Sequence, residues 1–85
     1  MNKAEAAEKI HAKIIAIAKK LGREAGGLRQ DRVLLETGLL DSAGILELIF
    51  WIESEFDVEF DQDELSVDNF GTIVQMVDLV ERKRG

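Results

Sequence analysis

The sequence predicts an all-α fold: a four-helix bundle with three main helices, a short third helix and a long loop between helices one and two. Three stretches repeat apolar residues at the 3.6-residue period of an α-helix. The 85 residues suffice for one domain, which we expect to span residues 1–85 around a single core. Because the chain has no cysteine, packed aliphatic side chains must hold that core together.

The first helix is predicted from about Lys3 to Leu21. Gly22 and two preceding lysines are typical of a helix C-terminus. From 23 to 41 the leucines and glycines are scattered and show no helical period, so we expect a long loop. A short helical turn near 31–36 is compatible with that loop. The apolar stripe of the first helix consists of Ile10, Ile14, Ile17 and Leu21.

The second main helix is predicted to begin at Asp41 or Ser42, because both side chains accept hydrogen bonds from free N–H groups at a helix start, and to end near Phe56. An adjacent face adds a second apolar strip edged by carboxylates, and such surplus apolar surface indicates an interaction site. For Trp51, contact with a partner and partial packing against the loop both stay open. The predicted core stripe is Ile45, Leu48, Ile49, Ile52 and Phe56, and the adjacent face carries Ala43, Leu46, Glu47, Phe50 and Ser54.

The stretch from Asp57 to Glu64 alternates acidic and apolar residues, which favours a short extended segment. A calcium loop running to Asp68 is the alternative. It departs from the EF-hand pattern, because Gln62 stands where the turn requires glycine and Asp68 stands where glutamate is needed. We therefore expect no metal site.

The remainder of the chain is predicted to form short helical turns and a last helix. Start signals occur from Asp61 to Glu64 and from Ser66 to Asn69. The last helix begins at Gly71 or Thr72 and ends at Arg84, where three basic residues complement the helix dipole. Its stripe is Ile73, Met76, Val77 and Val80, with Phe70 packing at its entry.

The net charge of −6 is unevenly distributed. From Val33 to Glu81 there is no Lys, Arg or His, against thirteen carboxylates. Such a surface disfavours nucleic acid and anionic lipid and favours partners with basic patches, although acidity alone also keeps small domains in solution. The longest apolar run, Ile45 to Ile52, is interrupted by Glu47, and the N-terminus lacks the apolar stretch of a signal peptide. A soluble, cytoplasmic protein without membrane insertion is the expectation.

Enzymatic constellations are not evident. A Ser-His-Asp or Cys-His site would have to use His11, the single histidine, which lies far in sequence from Ser42. Gly-rich phosphate loops and zinc ligand spacings do not occur either. The sequence therefore predicts no catalytic residue and no enzyme.

One segment stands out: GLLDS at 38–42 opens the apolar helix ILELIFWIESEF at 45–56, and DVEFDQDELSVDNFGTIVQMVDLV follows. Over essentially the whole chain this order resembles the acyl carrier and peptidyl carrier protein family. The resemblance implies that Ser42 is esterified to phosphopantetheine, taken from coenzyme A by a magnesium-dependent transferase that recognises Asp41. A phosphodiester on the first turn of a helix meets free N–H groups and the positive end of the dipole. Without modification, both residues are simply helix caps.

The resemblance also implies partner contacts on the second helix. Leu46 and Phe50 would enter apolar hollows on partner enzymes, while Glu47 and Glu53 would steer towards basic patches. The partners implied are the phosphopantetheinyl transferase, an acyl- or aminoacyl-loading ligase and downstream pathway enzymes, with the protein itself a monomer. The full contact set is Ala43, Leu46, Glu47, Phe50, Glu53 and Ser54.

Through two departures from the family pattern, the chain resembles stand-alone carriers of specialised lipid, polyketide (secondary-metabolite) or aminoacyl pathways, including the D-alanine carriers. Ala43 and Gly44 stand where the family has larger residues, which leaves a smaller contact near the phosphopantetheine group attached to Ser42 (the arm). The stretch from Phe56 to Phe70 is also longer than in housekeeping fatty-acid carriers. The sequence therefore predicts a carrier of an acyl or aminoacyl thioester; the alternative is an unmodified helical interaction module. If the core shelters the cargo, the expected lining is Ile14, Leu48, Ile49, Val77 and Val80.

Overall fold

Three long helices form the body of the computed structural model. The structure describes residues 2–65 and 67–84, among which no β-strand occurs. The first long helix packs against the other two. In chain order the helices are α1 (Lys3–Lys20), α2 (Leu34–Thr37), α3 (Ser42–Phe56), a 3₁₀ helix (Gln62–Glu64), α4 (Val67–Phe70) and α5 (Ile73–Arg84). The predicted all-α fold, with three main helices and a short third one, is therefore confirmed.

Helix α1 ends in a Schellman motif around Gly22, whose φ of 75° is accessible to glycine. The N–H of Arg23 donates to the carbonyl of Ala18 at 2.9 Å. The predicted stripe is buried at Ile10, Ile14 and Ile17. Placing Leu21 on that stripe was wrong: it is 44% exposed, because it caps the helix where the chain turns away.

The long loop between α1 and α3 is held by two backbone hydrogen bonds to the start of α5. Leu34 N donates to Gly71 O at 2.7 Å, and Val74 N donates to Gln30 O at 3.2 Å. Leu34 and Leu40 are buried in the core. Helix α2 is the helical turn that the sequence allowed within this loop. The loop is thus an ordered element that brings its apolar residues against α4 and α5.

The connection after α3 alternates between the core and solvent. Asp57 ends α3 in the left-handed conformation, with a φ of 54°. Val58 and Phe60 are buried, whereas Asp57 and Asp61 are exposed. Asp61 and Glu64 form a capping box at the 3₁₀ helix, as their spacing predicted. Burial follows the predicted alternation, although this segment pairs with no strand among the described residues.

Helix α5 begins at a reciprocal cap. Gln75 N donates to Thr72 Oγ1 at 3.1 Å, and Thr72 N donates to Gln75 Oε1 at 3.0 Å. The predicted stripe is fully buried, and Phe70 packs at the entry as expected. The second predicted helix start signal runs from Ser66 to Asn69, and its first residue, Ser66, lies outside the described residues. Residues buried on α5 are Ile73, Met76, Val77, Leu79 and Val80.

Candidate functional site

Asp41 is the N-cap of α3. Its backbone is extended, and its Oδ1 accepts a hydrogen bond from Gly44 N at 2.8 Å. Its carbonyl accepts the first intrahelical bond, from Ile45 N, at 3.0 Å. The side chain therefore satisfies one of the free donors at the helix start, as an N-capping aspartate does. The predicted capping role is present, and it fixes where α3 begins.

Ser42 is the first residue of α3 and is exposed to solvent. No hydrogen bond between residues that the structure describes involves its hydroxyl. The N–H groups of Ser42 and Ala43 precede the first intrahelical bond, so they have no partner within the helix. A negatively charged group esterified to the hydroxyl would lie at the positive end of the helix dipole. The position fits a phosphodiester without any rearrangement of the fold.

The outer face of α3 carries the predicted apolar strip. Leu46 is 48% exposed and Phe50 is 59% exposed, and Ala43 and Ser54 are exposed beside them. The opposite face is buried against α1 and the loop. Trp51 is half-buried and meets Phe56 edge-on, with ring centroids 6.0 Å apart. The structure therefore places the tryptophan partly in the core.

The two carboxylates predicted to edge this strip already have partners within the chain. Glu47 Oε2 lies 2.9 Å from Lys20 Nζ and 3.8 Å from Lys13 Nζ. The hydrogen bond from Lys20 holds the pKa of Glu47 below its usual value. Glu53 Oε2 accepts a hydrogen bond from Phe60 N at 3.0 Å. Both side chains thus contribute to the fold as well as to the surface.

Gly44 faces the interior, not the arm. A Cβ built there lies 3.4 Å from Ile17 of α1, Leu40 of the loop and the Asp41 carboxylate. The glycine therefore allows α1 and the loop to approach the start of α3 closely. The expectation that Gly44 leaves a smaller contact near the arm is not met at this position, because the residue is buried.

An apolar cleft of about 170 Å³ opens beside Ser42. Two exposed leucines outside the long helices, Leu35 and Leu65, stand at its mouth. The sequence did not predict a role for either leucine, because neither belongs to a periodic apolar stripe. The only indication in the sequence was a leucine within an irregular segment. The lining residues are Leu35, Ser42, Ile45, Ile49, Leu65, Phe70 and Gly71.

The acidic segment after α3 is part of an ion-pair network. Lys83 Nζ lies 2.7 Å from Glu64 Oε1 and 3.5 Å from Asp61 Oδ2. Lys83 lowers the pKa of Glu64, and Glu64 raises the pKa of Lys83. Among the side chains that the structure describes, no group of three or more potential metal ligands occurs. The side chain of Asp68, the last residue of the alternative calcium loop, lies outside that described part.

His11 is remote from Ser42 in its contacts: its Nε2 lies 2.9 Å from the carbonyl oxygen of Ala25, a distance that fits an N–H donor. This hydrogen bond joins α1 to the loop.

Within residues 2–65 and 67–84, no helix combines the length and the apolar character needed to span a membrane.

A family model described as "Phosphopantetheine attachment site" matches residues 14–80, which include Asp41, Ser42 and the apolar cleft.

Several curated proteins that are similar to this chain in sequence are described as carrier proteins. The D-alanyl carrier protein of Streptococcus sanguinis (strain SK36) is 33% identical over 75 residues, covering 88% of this chain and 95% of the relative. The same figures hold for the D-alanyl carrier protein of Streptococcus thermophilus (strain CNRZ 1066). The probable acyl carrier protein PigG of Serratia sp. (strain ATCC 39006) is 36% identical over 62 residues, covering 73% of this chain and 71% of the relative.

Proposed function

Because the chain belongs to the family of carrier proteins that have a phosphopantetheine attachment site, we propose that Ser42 bears the arm and that the arm holds an acyl or aminoacyl intermediate. Proteins of this family are carriers, not catalysts. When bound, phosphopantetheine supplies the thiol that forms a thioester with the intermediate. The observation that carries the proposal is the exposed hydroxyl at the first residue of α3, inside the matched region.

The residues around Ser42 suit attachment. The serine acts only as an acceptor from coenzyme A, so it needs access to a transferase and no neighbouring base. Asp41 presents a carboxylate one residue earlier, and the hydrogen bond from Gly44 N holds that carboxylate at the start of α3. We assign it a second role, in recognition by the phosphopantetheinyl transferase.

The proposed partner surface is the outer face of α3 following Ser42. Leu46 and Phe50 supply most of its exposed apolar area, which a partner would bury. Glu47 and Glu53 lie at its edge; the ion pair with Lys20 reduces the charge that Glu47 presents, whereas Glu53 accepts only from the neutral N–H of Phe60 and keeps its charge. The surface proposed for the transferase, a loading ligase and downstream enzymes comprises Ala43, Leu46, Glu47, Phe50, Glu53 and Ser54.

The proposed setting is a specialised biosynthetic pathway in the cytoplasm, with residues 1–85 forming one carrier domain. Support for the cargo class comes from the relatives: some are D-alanyl carrier proteins, and one is a probable acyl carrier protein. Both acyl and aminoacyl cargo therefore remain within the proposal.

Mass spectrometry tests the attachment directly. Incubation with coenzyme A, magnesium and a broad-specificity phosphopantetheinyl transferase should add one phosphopantetheine to the chain. Ser42→Ala should abolish the gain, whereas Thr37→Ala, at a hydroxyl residue of α2 outside the proposed partner surface, should keep it. Absence of any gain, or a gain that survives Ser42→Ala, would reject the proposal and favour an unmodified interaction module.

A further inference from the structure

We propose that the partner surface on α3 continues across a groove onto the end of α1, where Leu21 contacts an uncharged apolar side chain of the phosphopantetheinyl transferase. The inference rests on the proposed attachment at Ser42, because it concerns the enzyme that would modify this serine. It goes further by naming α1 as a second docking element and by stating the chemistry that each end of the surface accepts.

Leu21 is exposed at a position that the backbone fixes. The residue is 44% exposed and is not part of the core that the described residues form. As the C-cap of α1 it donates its N–H to the carbonyl of Ala18 at 3.0 Å, and the Schellman motif around Gly22 then turns the chain away. Because the backbone is already ordered, a partner that buries this leucine gains apolar contact with little loss of conformational entropy.

Leu21 lines a groove of about 150 Å³ together with the start of α3. Ile17 and Gly44, which are both buried, also line this groove, and Ala43 adds only a methyl group to it. An apolar cavity of about 150 Å³ is large enough to hold benzene. The groove therefore has room for one aliphatic or aromatic side chain of another protein.

The groove lies next to the proposed attachment point. Asp41 and Ala43, the two chain neighbours of Ser42, both line it. An enzyme that transfers phosphopantetheine from coenzyme A to the Ser42 hydroxyl must cover these neighbours. Ala43 and Glu47 also belong to the proposed partner surface, so the groove and that surface are continuous. This position favours the transferase over a second copy of the chain as the protein that fills the groove.

The charges on the two sides of the groove largely cancel. Lys20 on α1 and Glu47 on α3 both line it, and Lys20 Nζ lies 2.9 Å from Glu47 Oε2. Lys13 Nζ lies 3.8 Å from the same oxygen. Asp41, the other acid of the groove, is the residue assigned to recognition by the transferase. A basic group of a partner would therefore find Glu47 already neutralised, whereas an apolar side chain would not have to desolvate a lone carboxylate there.

Glu53 provides the charged end of the partner surface. Its carboxylate accepts a hydrogen bond from the neutral N–H of Phe60 and keeps its negative charge. With a rise of about 1.5 Å per residue, Glu53 lies about 9 Å further along α3 than Glu47. The transferase that fits this surface therefore carries an apolar side chain beside its active site and a basic group about 9 Å away.

Steady-state kinetics test the contact at Leu21. The assay follows modification by intact mass, with coenzyme A, magnesium and the broad-specificity transferase. Leu21→Ser should raise KM and lower kcat/KM by at least about fivefold at nearly constant kcat, because docking is weakened while Ser42 is intact. Leu21→Met, which keeps an apolar side chain of similar volume, should recover most of this loss. Val74→Ser, at an exposed valine of α5, is the control and should leave both constants unchanged.

Lys20→Gln tests the charge balance of the groove. The substitution removes the 2.9 Å partner of Glu47, so an apolar side chain that enters the groove would desolvate a carboxylate. kcat/KM should therefore fall by at least about threefold. The double variant Lys20→Gln/Glu47→Gln removes both charges and should recover most of the loss. Lys19→Gln, at the neighbouring exposed lysine, controls for the loss of one positive charge and should leave kcat/KM unchanged.

The salt dependence of the same rate tests the charged end of the surface. kcat/KM of the unsubstituted chain should fall as the salt concentration rises, because screening weakens the attraction between Glu53 and the basic group. Glu53→Gln keeps an oxygen that accepts from Phe60 N but removes the charge, so it should make this decline shallower. Glu36→Gln, at an exposed acid of α2, should keep the decline.

Four results would overturn the inference. One is an unchanged KM in Leu21→Ser, and another is an unchanged salt dependence in Glu53→Gln. The third is a rise of kcat/KM in Lys20→Gln, which would mean that the transferase presents a basic group to Glu47. The fourth is self-association, measured by sedimentation, that Leu21→Ser abolishes, because a second copy of the chain would then fill the groove.

The outcomes separate this inference from the proposed function. Thermal midpoints verify that each variant is folded, and the Lys20 series decides the question if Leu21→Ser is not. Modification of Ser42 at the same rate in all these variants contradicts the inference alone. Failure to modify Ser42 in the unsubstituted chain rejects the proposed function and removes the inference with it.

Discussion

Asp41 and Ser42 have different tasks at the start of α3. The Asp41 carboxylate is occupied by a hydrogen bond from Gly44 N, which stabilises the helix start. The exposed hydroxyl of Ser42 is left for chemistry because its neighbour provides the cap. A pair of adjacent residues that both favour helix starts therefore holds the proposed attachment point at a defined position.

Substitutions at Asp41 should separate capping from recognition. Asp41→Asn keeps an oxygen that accepts from Gly44 N, so the free energy of unfolding should change little, whereas Asp41→Ala should lower it by about 1 kcal/mol. Modification by the transferase should slow in both variants, because both lose the carboxylate. Urea unfolding and mass-detected modification rates measure the two effects. Glu36→Gln, at an exposed acid of α2, is the control, and a normal rate in Asp41→Asn would contradict a role of the charge in recognition.

Helix α3 shows how one element serves packing and docking with different faces. Gly44, Leu48 and Ile52 are buried against α1 and the loop, while Leu46 and Phe50 face solvent. Both faces follow from the 3.6-residue period, since residues three and four apart lie on the same side. The apolar content of α3 exceeds what its buried face uses, and this surplus is the physical basis of the proposed partner surface.

Truncations on the two faces should have opposite consequences. Phe50→Ala should lower kcat/KM for modification by the transferase by at least about fivefold, as expected for a central interface residue, with little loss of stability. Ile49→Ala, one residue earlier but buried, should cost about 2–5 kcal/mol of unfolding free energy. Val74→Ala, at an exposed valine outside the strip, should affect neither quantity. Normal kcat/KM in both Phe50→Ala and Leu46→Ala would contradict the docking role of this face.

In the whole molecule, the uneven charge of the sequence becomes a set of ion pairs between helices. Lysines of α1 pair with acids of α3 and α5, and Lys83 at the end of α5 pairs with the 3₁₀ helix. The pairs formed by Lys3, Lys9 and Lys20 are exposed and each contributes little alone, whereas Lys83 and Glu64 are half-buried. Together they match the basic first third of the chain to the acidic remainder. The acidity of the surface that partners meet is reduced accordingly.

Stability should therefore decline at both ends of the pH range. Lysine partners lower the pKa of Glu47 and Glu64 below 4.5, so their stabilising effect is present above that pH and is lost as the pH falls through the lowered values. Acidic partners raise the pKa of Lys3 and Lys83 above 10.5, so their effect is present below that pH and is lost as the pH rises further.

Thermal midpoints measured across the pH range check this expectation. Lys83→Gln should reduce the decline at both ends, whereas Lys19→Gln, at a lysine that forms no ion pair within the described residues, should preserve it. High salt should flatten both profiles, because exposed pairs are screened. A pH profile of Lys83→Gln identical to that of the unmodified chain would contradict the role of the ion pair.

The helices were predictable from the sequence because their determinants are local. The period of the apolar residues and the caps at Asp41, Asp61 and Gly22 act over a few residues, so they set where elements begin and end whatever surrounds them. The same local reasoning failed at Leu21, because this residue continues the apolar period of α1 although the helix ends at Lys20. A stripe predicts burial only as far as the backbone remains helical.

The sequence by itself determined the all-α fold, the start of α3 with its exposed serine, and the surplus apolar face of that helix. Only the tertiary structure decided the rest. The cleft joins Leu35, Ile49 and Phe70, and the Glu47 carboxylate meets lysines of α1. These contacts join residues far apart in the chain, and they depend on how the helices and loop pack around one another. No local pattern specifies that packing, because it depends on the shape and volume of all the side chains in the core at once.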